Sequence, residues 1–299
     1  MNKAIQKSIS NFFIEKPKIV LGLSGGPDSV ALAHVLFSLK NHGFIKDLVF
    51  VHANFHLRGE ESDADQRFCE DLALHLQTKI ICRSFLIDKA SAHIQKKARD
   101  FRRKFLLETA TEIQGVVTLA HHHDDLIETI LFRLFRGANL KTILPFEEFD
   151  GSTWRPFYGL KKSEVIEYLT TNKIDSRVDS SNLKTDYTRN ILRLQIIPAI
   201  TNQFPQAQSK ILELVTSLNS VVEAISPPAI EVGNVIMIPE KIPTAILKIW
   251  IYEHIQKRLA VFHPVSDVIL QDLAINKEAF VNISDNFSVR RTLNKLQFM

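Results

Sequence analysis

Three stretches of the 299-residue sequence carry residue types whose spacing could support chemistry. The first is Ser24-Gly25-Gly26-Pro27-Asp28-Ser29, which follows the apolar run KIVLGLS (18–24). Two adjacent glycines tolerate positive φ and let a ligand come close to the backbone. Pro27, Asp28 and Ser29 suit the first turn of a helix. Backbone N–H groups at such a terminus, with the helix dipole behind them, form an anion site. A tight, well-capped turn would have the same composition, but a place at the carboxyl end of a buried strand favours phosphate. The loop is neither a Walker A motif nor GxGxxG, because the spacing of both differs.

The second stretch is Ala120-His121-His122-His123-Asp124-Asp125-Leu126-Ile127-Glu128-Thr129. Asp125 and Glu128 are three apart, so a helix starting there puts both carboxylates on one face. Paired carboxylates beside a phosphate site suit Mg²⁺ carried with a nucleotide. A histidine-rich transition-metal site is the competing reading. Consecutive side chains of an extended segment point to opposite faces, so at most two of the three imidazoles would share a metal. A packed or capping role is the plain expectation for His121 or His122. The third stretch, KKARDFRRK (96–104), has six basic side chains and one acid. Arg99 shares a helical stripe with Arg102 or Arg103, giving either a solvated face or a phosphate-binding one.

Elements able to position these groups are visible around them. KIVLGLS (18–24), LVFVHANF (48–55), IICRSFL (80–86) and GVVTLAH (115–121) are Val-, Ile- and Leu-rich runs without clean alternation, as in strands covered on both faces. Helical stretches lie between them near 29–41, 62–77, 91–113 and 124–136, with Ala64, Phe68, Leu72 and Leu76 recurring at four-residue intervals. The βαβαβαβ order implies a parallel sheet in an α/β fold, with ligands beyond the carboxyl ends of the strands. After residue 150 the pattern changes. TWRPFYG (153–159) reads as a further strand or extended loop, and 161–171, 189–200 and 207–225 read as helices. SPP (226–228) is the best linker signal, and the chain closes in paired strands around Asp285-Asn286.

Composition bounds the class. A hydrophobic content of 45%, 23% charged residues and mean hydropathy near zero (−0.01) suit about two globular units and not a disordered chain. No apolar run approaches the ~20 residues of a membrane span, and MNKAIQKSISNFFIEKP has no secretory h-region, so a cytoplasmic location is expected. The only cysteines, Cys69 and Cys82, form no CxxC, which argues against a disulfide framework or a cysteine-rich metal site. A net charge of +4 and pI near 8.9 discriminate little by themselves.

Taken together the motifs form a recognisable set. SGGPDS (24–29) resembles the pyrophosphate loop of N-type ATP pyrophosphatases, the PP-loop group. VHANFHLRGEES (51–62), ARDFRRKF (98–105), AHHHDDLIETILFRLFRGANL (120–140), WRPF (154–157) and DSSNLKTDYTRNILRLQIIPAI (179–200) resemble, in order, segments of the tRNA(Ile)-lysidine synthetase family. The final hairpin with Phe287, Arg290 and Arg291 is similar to the close of that family's second domain. Phe55 and His56 stand where the family usually has His-Gly, and Arg103 where it usually has tyrosine. The chain also resembles the shorter members, which lack a further C-terminal domain.

That resemblance implies a Rossmann-like PP-loop ATPase domain over 1–205. A linking helix and a small, partly helical second domain over 206–299 would assist tRNA binding. It implies a ligase that joins L-lysine to the wobble cytidine of tRNA(Ile) with a CAU anticodon, through an adenylated cytidine, releasing AMP and pyrophosphate. Ser24, Gly25, Gly26, Pro27, Asp28 and Ser29 would bind ATP, and Asp28 and Asp125 Mg²⁺. Asp28, Asp125, Glu128 and Arg102 would serve catalysis, with Asp125 and Glu128 acting on Mg²⁺ or on the lysine amine. Arg99, Arg102, Arg136, Arg189, Asn190 and Arg193 would face the tRNA. No membrane partner is expected, and a homodimer is compatible with the sequence. The alternatives are a metal-dependent phosphohydrolase using the His-Asp block, or another PP-loop tRNA-modifying enzyme such as a thiolase, which would be expected to carry more suitable cysteines.

Overall fold

Strand β1 (Lys18–Gly22) is the middle of a five-stranded parallel sheet in the order β3-β2-β1-β4-β5. Its neighbours are β2 (Asp47–Asn54), in register with Leu21 opposite Phe50, and β4 (Val116–Thr118), with Val20 opposite Val117. β3 (Lys79–Ser84) lies beyond β2, and β5 (Thr153–Trp154) beyond β4. The computed structural model describes residues 1–86, 94–137, 143, 146–177, 188–225, 230–238, 243–259, 265–284 and 287–299. The SPP linker, the Asp285-Asn286 turn and residues 179–187 of the predicted tRNA-proximal element fall outside them.

Strand side chains alternate between two apolar layers, which is why their sequences are apolar throughout. Ile19, Leu21, Leu48 and Phe50 pack with Ile5 and Ile9 of α1 (Asn2–Phe12) and with α2 (Pro27–Asn41), α3 (Glu60–His75) and α6 (Lys162–Thr171). Val20, Val51 and Val117 pack on Phe105, Leu106 and Ala110 of α4 (Ile94–Ile113). The strand order grows from β1 to β2 and β3 on one side, then restarts with β4 on the other. β1 and β4 therefore diverge at a topological switch point, where the crevice of such sheets lies. The segments at its rim are 23–29 after β1 and 119–125 after β4, the latter opening α5 (His123–Phe135).

Some elements differ from the sequence expectation. TWRPFYG contributes only the two-residue β5, because its next residues turn to bury Arg155 and Phe157. Trp154 is fully buried, and its indole N–H donates to Ser8 Oγ at 2.9 Å. The helix expected over 189–200 is α7 (Thr188–Ile191), a π-helical turn (Leu192–Ile196) and α8 (Ile197–Gln203). Pro198 has no N–H to give to the carbonyl of Leu194, and the ladder widens just before it.

The chain divides into two compact units, Met1–Thr129 with Pro145–Gln203, and Ile130–Leu144 with Phe204–Met299. The second contains α9 (Ala207–Ile225) and an antiparallel sheet in the order β6-β7-β10-β9-β8. Its strands are β6 (Ile230–Val232), β7 (Val235–Met237), β8 (Glu278–Ser284), β9 (Phe287–Thr292) and β10 (Lys295–Phe298). Helices α10 (Thr244–Arg258) and α11 (Asp267–Ile275) supply Trp250, Ile251, Leu270 and Leu273 to its core, against Val289, Leu296 and Phe298. Among the described residues no helix is long and apolar enough to cross a membrane.

The turn before β5 is held by charge. Asp150 accepts from Arg155 Nη2 at 2.8 Å and from the N–H groups of Ser152 and Thr153 at 3.0 and 2.8 Å. Burial alone would raise its carboxyl, but Arg155 and Ser152 outweigh it and hold the group below its ordinary value. A depressed carboxylate stabilises the fold above its unfolded pKa, and the contribution disappears as pH falls through the folded value. Asp150→Asn should therefore lower the urea stability at pH 7 by about 1 kcal/mol, solvent screening included. The two proteins should converge as pH falls from the ordinary carboxylate range, about 3.9, through the depressed folded value. A pH-independent difference would show that shape, not charge, holds the turn.

Candidate nucleotide-binding and catalytic site

The Ser24–Ser29 loop closes on itself. Gly25 has φ +83°, a conformation natural to glycine, and Gly26 precedes Pro27 in the first turn of α2. Ser29 Oγ accepts from the Ser24 N–H at 3.2 Å, lies 3.1 Å from Ser24 Oγ and donates to the Gly26 carbonyl at 3.0 Å. From outside, the Arg177 N–H donates to the Gly25 carbonyl at 2.9 Å. Asp65 then takes Arg177 Nε at 2.9 Å and Arg58 Nη2 at 2.6 Å. The protein's own bonds thus hold the loop's geometry, and the first-turn N–H groups of α2 have no intrahelical acceptor.

Opposite it, the start of α5 gathers carboxylates around His122. This imidazole is buried, with Nε2 3.7 Å from Asp28 and 3.5 Å from Asp125, and Nδ1 3.5 Å from Asp124. Burial works against its charge, but Asp124, Asp125 and Asp28 outweigh that, and His122 keeps its proton above the ordinary histidine range. Asp124 feels an opposing burial effect, yet His122 and the Lys162 N–H (2.8 Å) hold it down to about 2. Lys162 also pairs its ammonium with Asp28. One turn along α5, buried Glu128 receives Arg193 Nε at 3.0 Å and Nη2 at 2.6 Å, with Arg189 Nε at 3.7 Å. Arg193 Nη2 also reaches Asp125 at 3.4 Å. The widened π-helical turn is the element that carries Arg193 to these carboxylates.

The structure brings Asp28, Asp125, Glu128, Arg189 and Arg193 together. Arg99 and Arg102 lie on α4, and no carboxylate among the described residues forms a salt bridge with them. Surrounding protein and neighbouring guanidinium groups disfavour both charges, Arg189 and Arg103 crowding Arg99, and Arg99 crowding Arg102. Arginine does not deprotonate, so this crowding leaves room for an anion. Arg136 is counted with the second unit and stacks 5.2 Å over Phe132. Asn190 sits on α7 beside Arg189. Sequence reasoning missed Lys162 and the role of His122. Lys162 had no local signal, since it meets Asp28 across 134 residues.

The rings of His121 and His122 diverge, which speaks against a transition metal shared between them. His121 packs 4.7 Å from the Phe146 ring, and His122 faces the aspartates. Among the described residues no group of three or more His, Cys, Asp and Glu is arranged to hold a metal by itself. Two carboxylates converging beside a phosphate loop do fit Mg²⁺, which completes its shell with water and phosphate oxygens.

The Phe55-His56 departure has a physical outcome. His56 adopts φ +50°, the left-handed region that a glycine enters without strain. Its ring is 2.9 Å from Asp63 and 3.1 Å from Ser84, and its N–H donates to Asn54 Oδ1 at 2.9 Å. For the main cluster, Arg193→Met leaves Glu128 buried without its closest donors. It should cost about 1–3 kcal/mol in urea unfolding. The double variant Glu128→Gln with Arg193→Met should recover part of that loss. Equal losses in both would show that the ion pair is not what makes Arg193 matter.

Comparison with known proteins agrees with this geometry. Curated relatives include the tRNA(Ile)-lysidine synthase of Bacteroides thetaiotaomicron, 32% identical over 237 residues, 78% of this chain and 54% of that protein. The synthase of Clostridium acetobutylicum is 31% identical over 76% of this chain and 51% of its own, and that of Bacillus subtilis 29% identical over 85% and 59%. The chain spans about half the length of the curated relatives it matches. Among solved structures, a U34-tRNA thiolase from Methanococcus maripaludis with its [4Fe-4S] cluster superimposes with a TM-score of 0.58 at 17% identity, over 73% of this chain and 77% of that one. That likeness is one of fold. Residues 1–200 match the PP-loop domain, and this chain belongs to the PP-loop domain family.

Proposed function

We propose that this protein uses ATP to join L-lysine to C2 of the wobble cytidine in a tRNA(Ile) with a CAU anticodon, releasing AMP and pyrophosphate. The observation that carries the reading is the meeting of the Ser24–Ser29 loop with Asp125 and Glu128 at the switch point of the sheet. It occurs in a chain whose relatives bear the name tRNA(Ile)-lysidine synthase.

In the first step the cytosine O2 bonds to the α-phosphorus of ATP, and the bond to the bridging oxygen breaks to free pyrophosphate. The loop N–H groups and the α2 terminus stabilise the charge that gathers on the leaving group. Asp28 and Asp125 would hold Mg²⁺, which supplies further charge neutralisation when bound. In the second step the lysine amine bonds to C2, and AMP leaves with the former O2. Free lysine has a pKa of about 10.4, so a base must take its proton. Asp125 and Glu128, now bridged by Arg193, are where a substrate ammonium would dock. Arg99 and Arg102 would neutralise adenylate or tRNA phosphate, with Arg189, Asn190 and Arg136 as further RNA contacts. Residues 206–299 would assist in holding the tRNA.

The thiolase alternative meets two unsuitable thiols. Burial pushes the Cys69 thiol up, and burial with Glu70 raises Cys82 to about 12. A phosphohydrolase has no support among the relatives.

Labelled lysine, ATP, Mg²⁺ and unmodified tRNA(Ile) test the proposal. Lysine should enter the RNA with equal amounts of AMP and pyrophosphate. Incorporation should fall by about 10²-fold or more in Asp28→Ala, and disappear when the wobble base is G. Phosphate release without tRNA would contradict the proposal, and pyrophosphate release without lysine would move the substrate elsewhere.

A further inference from the structure

The ligand end of the sheet carries a cluster of aromatic rings that the reaction above does not use. Phe55 follows the last residue of β2, Phe85 follows the last residue of β3, and Phe101 projects from α4. The Phe85 and Phe101 rings stack at 4.2 Å with 20° between planes, and Phe55 meets Phe101 edge-on at 5.8 Å. Arg102 lies 5.6 Å over the Phe55 ring. Phe85 is 38% exposed and the adjoining Leu86 82%, while Phe55 and Phe101 are half-buried. Rings serving only as core would be covered; these stand partly in water.

Charge indicates what covers them. Phe101 belongs to the 96–104 stretch with six basic side chains and one acid, which would repel a basic protein face and attract phosphate. The combination of exposed rings and guanidinium groups is that of single-strand binders, where every base offers a π-face. The loop that carries Phe55 is also fixed. His56 holds a left-handed backbone that costs energy and is tied on two sides, to Asp63 and Ser84. The surface adjoins the cleft: Phe55 follows β2, the neighbour of β1, and His52 Nδ1 of β2 is 2.9 Å from the carbonyl of Leu23 just before the phosphate loop.

We propose that Phe55, Phe85 and Phe101, with Arg102, form a stacking platform for an unpaired RNA base beside the catalytic loop. The proposal rests on the RNA-modifying reading above. An extruded target or its neighbour must leave the loop stack, and an aromatic ledge receives such a base. Phe55 stands where the family usually has histidine, so that ring is this chain's own contribution to the platform.

The test uses the full chain and an RNA stem-loop with a CAU-containing loop, one loop base replaced by 2-aminopurine. Binding should quench its fluorescence by stacking. Phe55→Leu and Phe85→Leu keep the apolar volume but remove the π-face, and each should weaken binding about tenfold at every salt concentration and reduce the quench. Phe→Tyr at the same positions should restore both, and ATP affinity should not change. Arg103→Ala should instead flatten the salt dependence. Leucine variants that bind and quench like the parent would overturn the proposal. So would variants that lose a dimer in sedimentation while RNA affinity holds, since the rings would then cover a second copy. Lysine transfer is not needed for either readout. Stacking without transfer would sink the proposed function and leave the platform standing, and transfer with unaffected leucine variants would do the reverse.

Discussion

Asp28, Asp124, Asp125 and Glu128 would repel one another, and any polyphosphate, unless cations stood between them. The site is built around that constraint. His122 sits among the three aspartates, Lys162 answers Asp28, and Arg193 joins Asp125 to Glu128. Each cation comes from a different element, so loop, helix start, α6 and the π-helical turn must all be in place together. A buried ion pair is weak support for stability, since desolvation offsets much of the attraction. Its value here is geometric: the carboxylates are held close enough to share a cation.

The charges are consequently of two kinds. Carboxylates and their cations gather at the loop and the start of α5, and Arg99 and Arg102 of α4 crowd one another with no salt bridge among the described residues. A ligand with polyphosphate at one end and an electrophilic base at the other matches that division. Phosphate charge would meet the loop N–H groups, and an ammonium would meet Asp125 and Glu128. Neither group would work alone, because carboxylates repel phosphate and guanidinium groups repel an incoming amine.

Much of this was legible in the sequence, for physical reasons. Strands buried on both faces must be apolar throughout, so KIVLG and LVFVHAN declared themselves, and their alternation with amphipathic stretches implied the parallel sheet. The phosphate loop was legible because strand, glycines and helix start are contiguous. Asp125 and Glu128 were legible from a three-residue spacing. Lys162 and the pairing of Arg193 with Glu128 were not, since contacts across 134 and 65 residues leave no local trace. The role of His122 was hidden because a lone histidine is more often packed than charged. The short β5 was obscured by a run that looks like a strand but turns to bury Arg155 and Phe157. Helix α1 was not read because its apolar contact rests on little more than Ile5 and Ile9.

The central claim is that the carboxylate group accepts a polyphosphate only when a divalent cation lies between them. Calorimetric titration of ATP into the protein, with Mg²⁺ or with EDTA, tests it most directly. The expected result is at least about tenfold tighter binding with Mg²⁺, a gap of about 1.4 kcal/mol or more, that narrows in Asp125→Asn. Equal affinity with and without Mg²⁺ in the parent protein would contradict the claim.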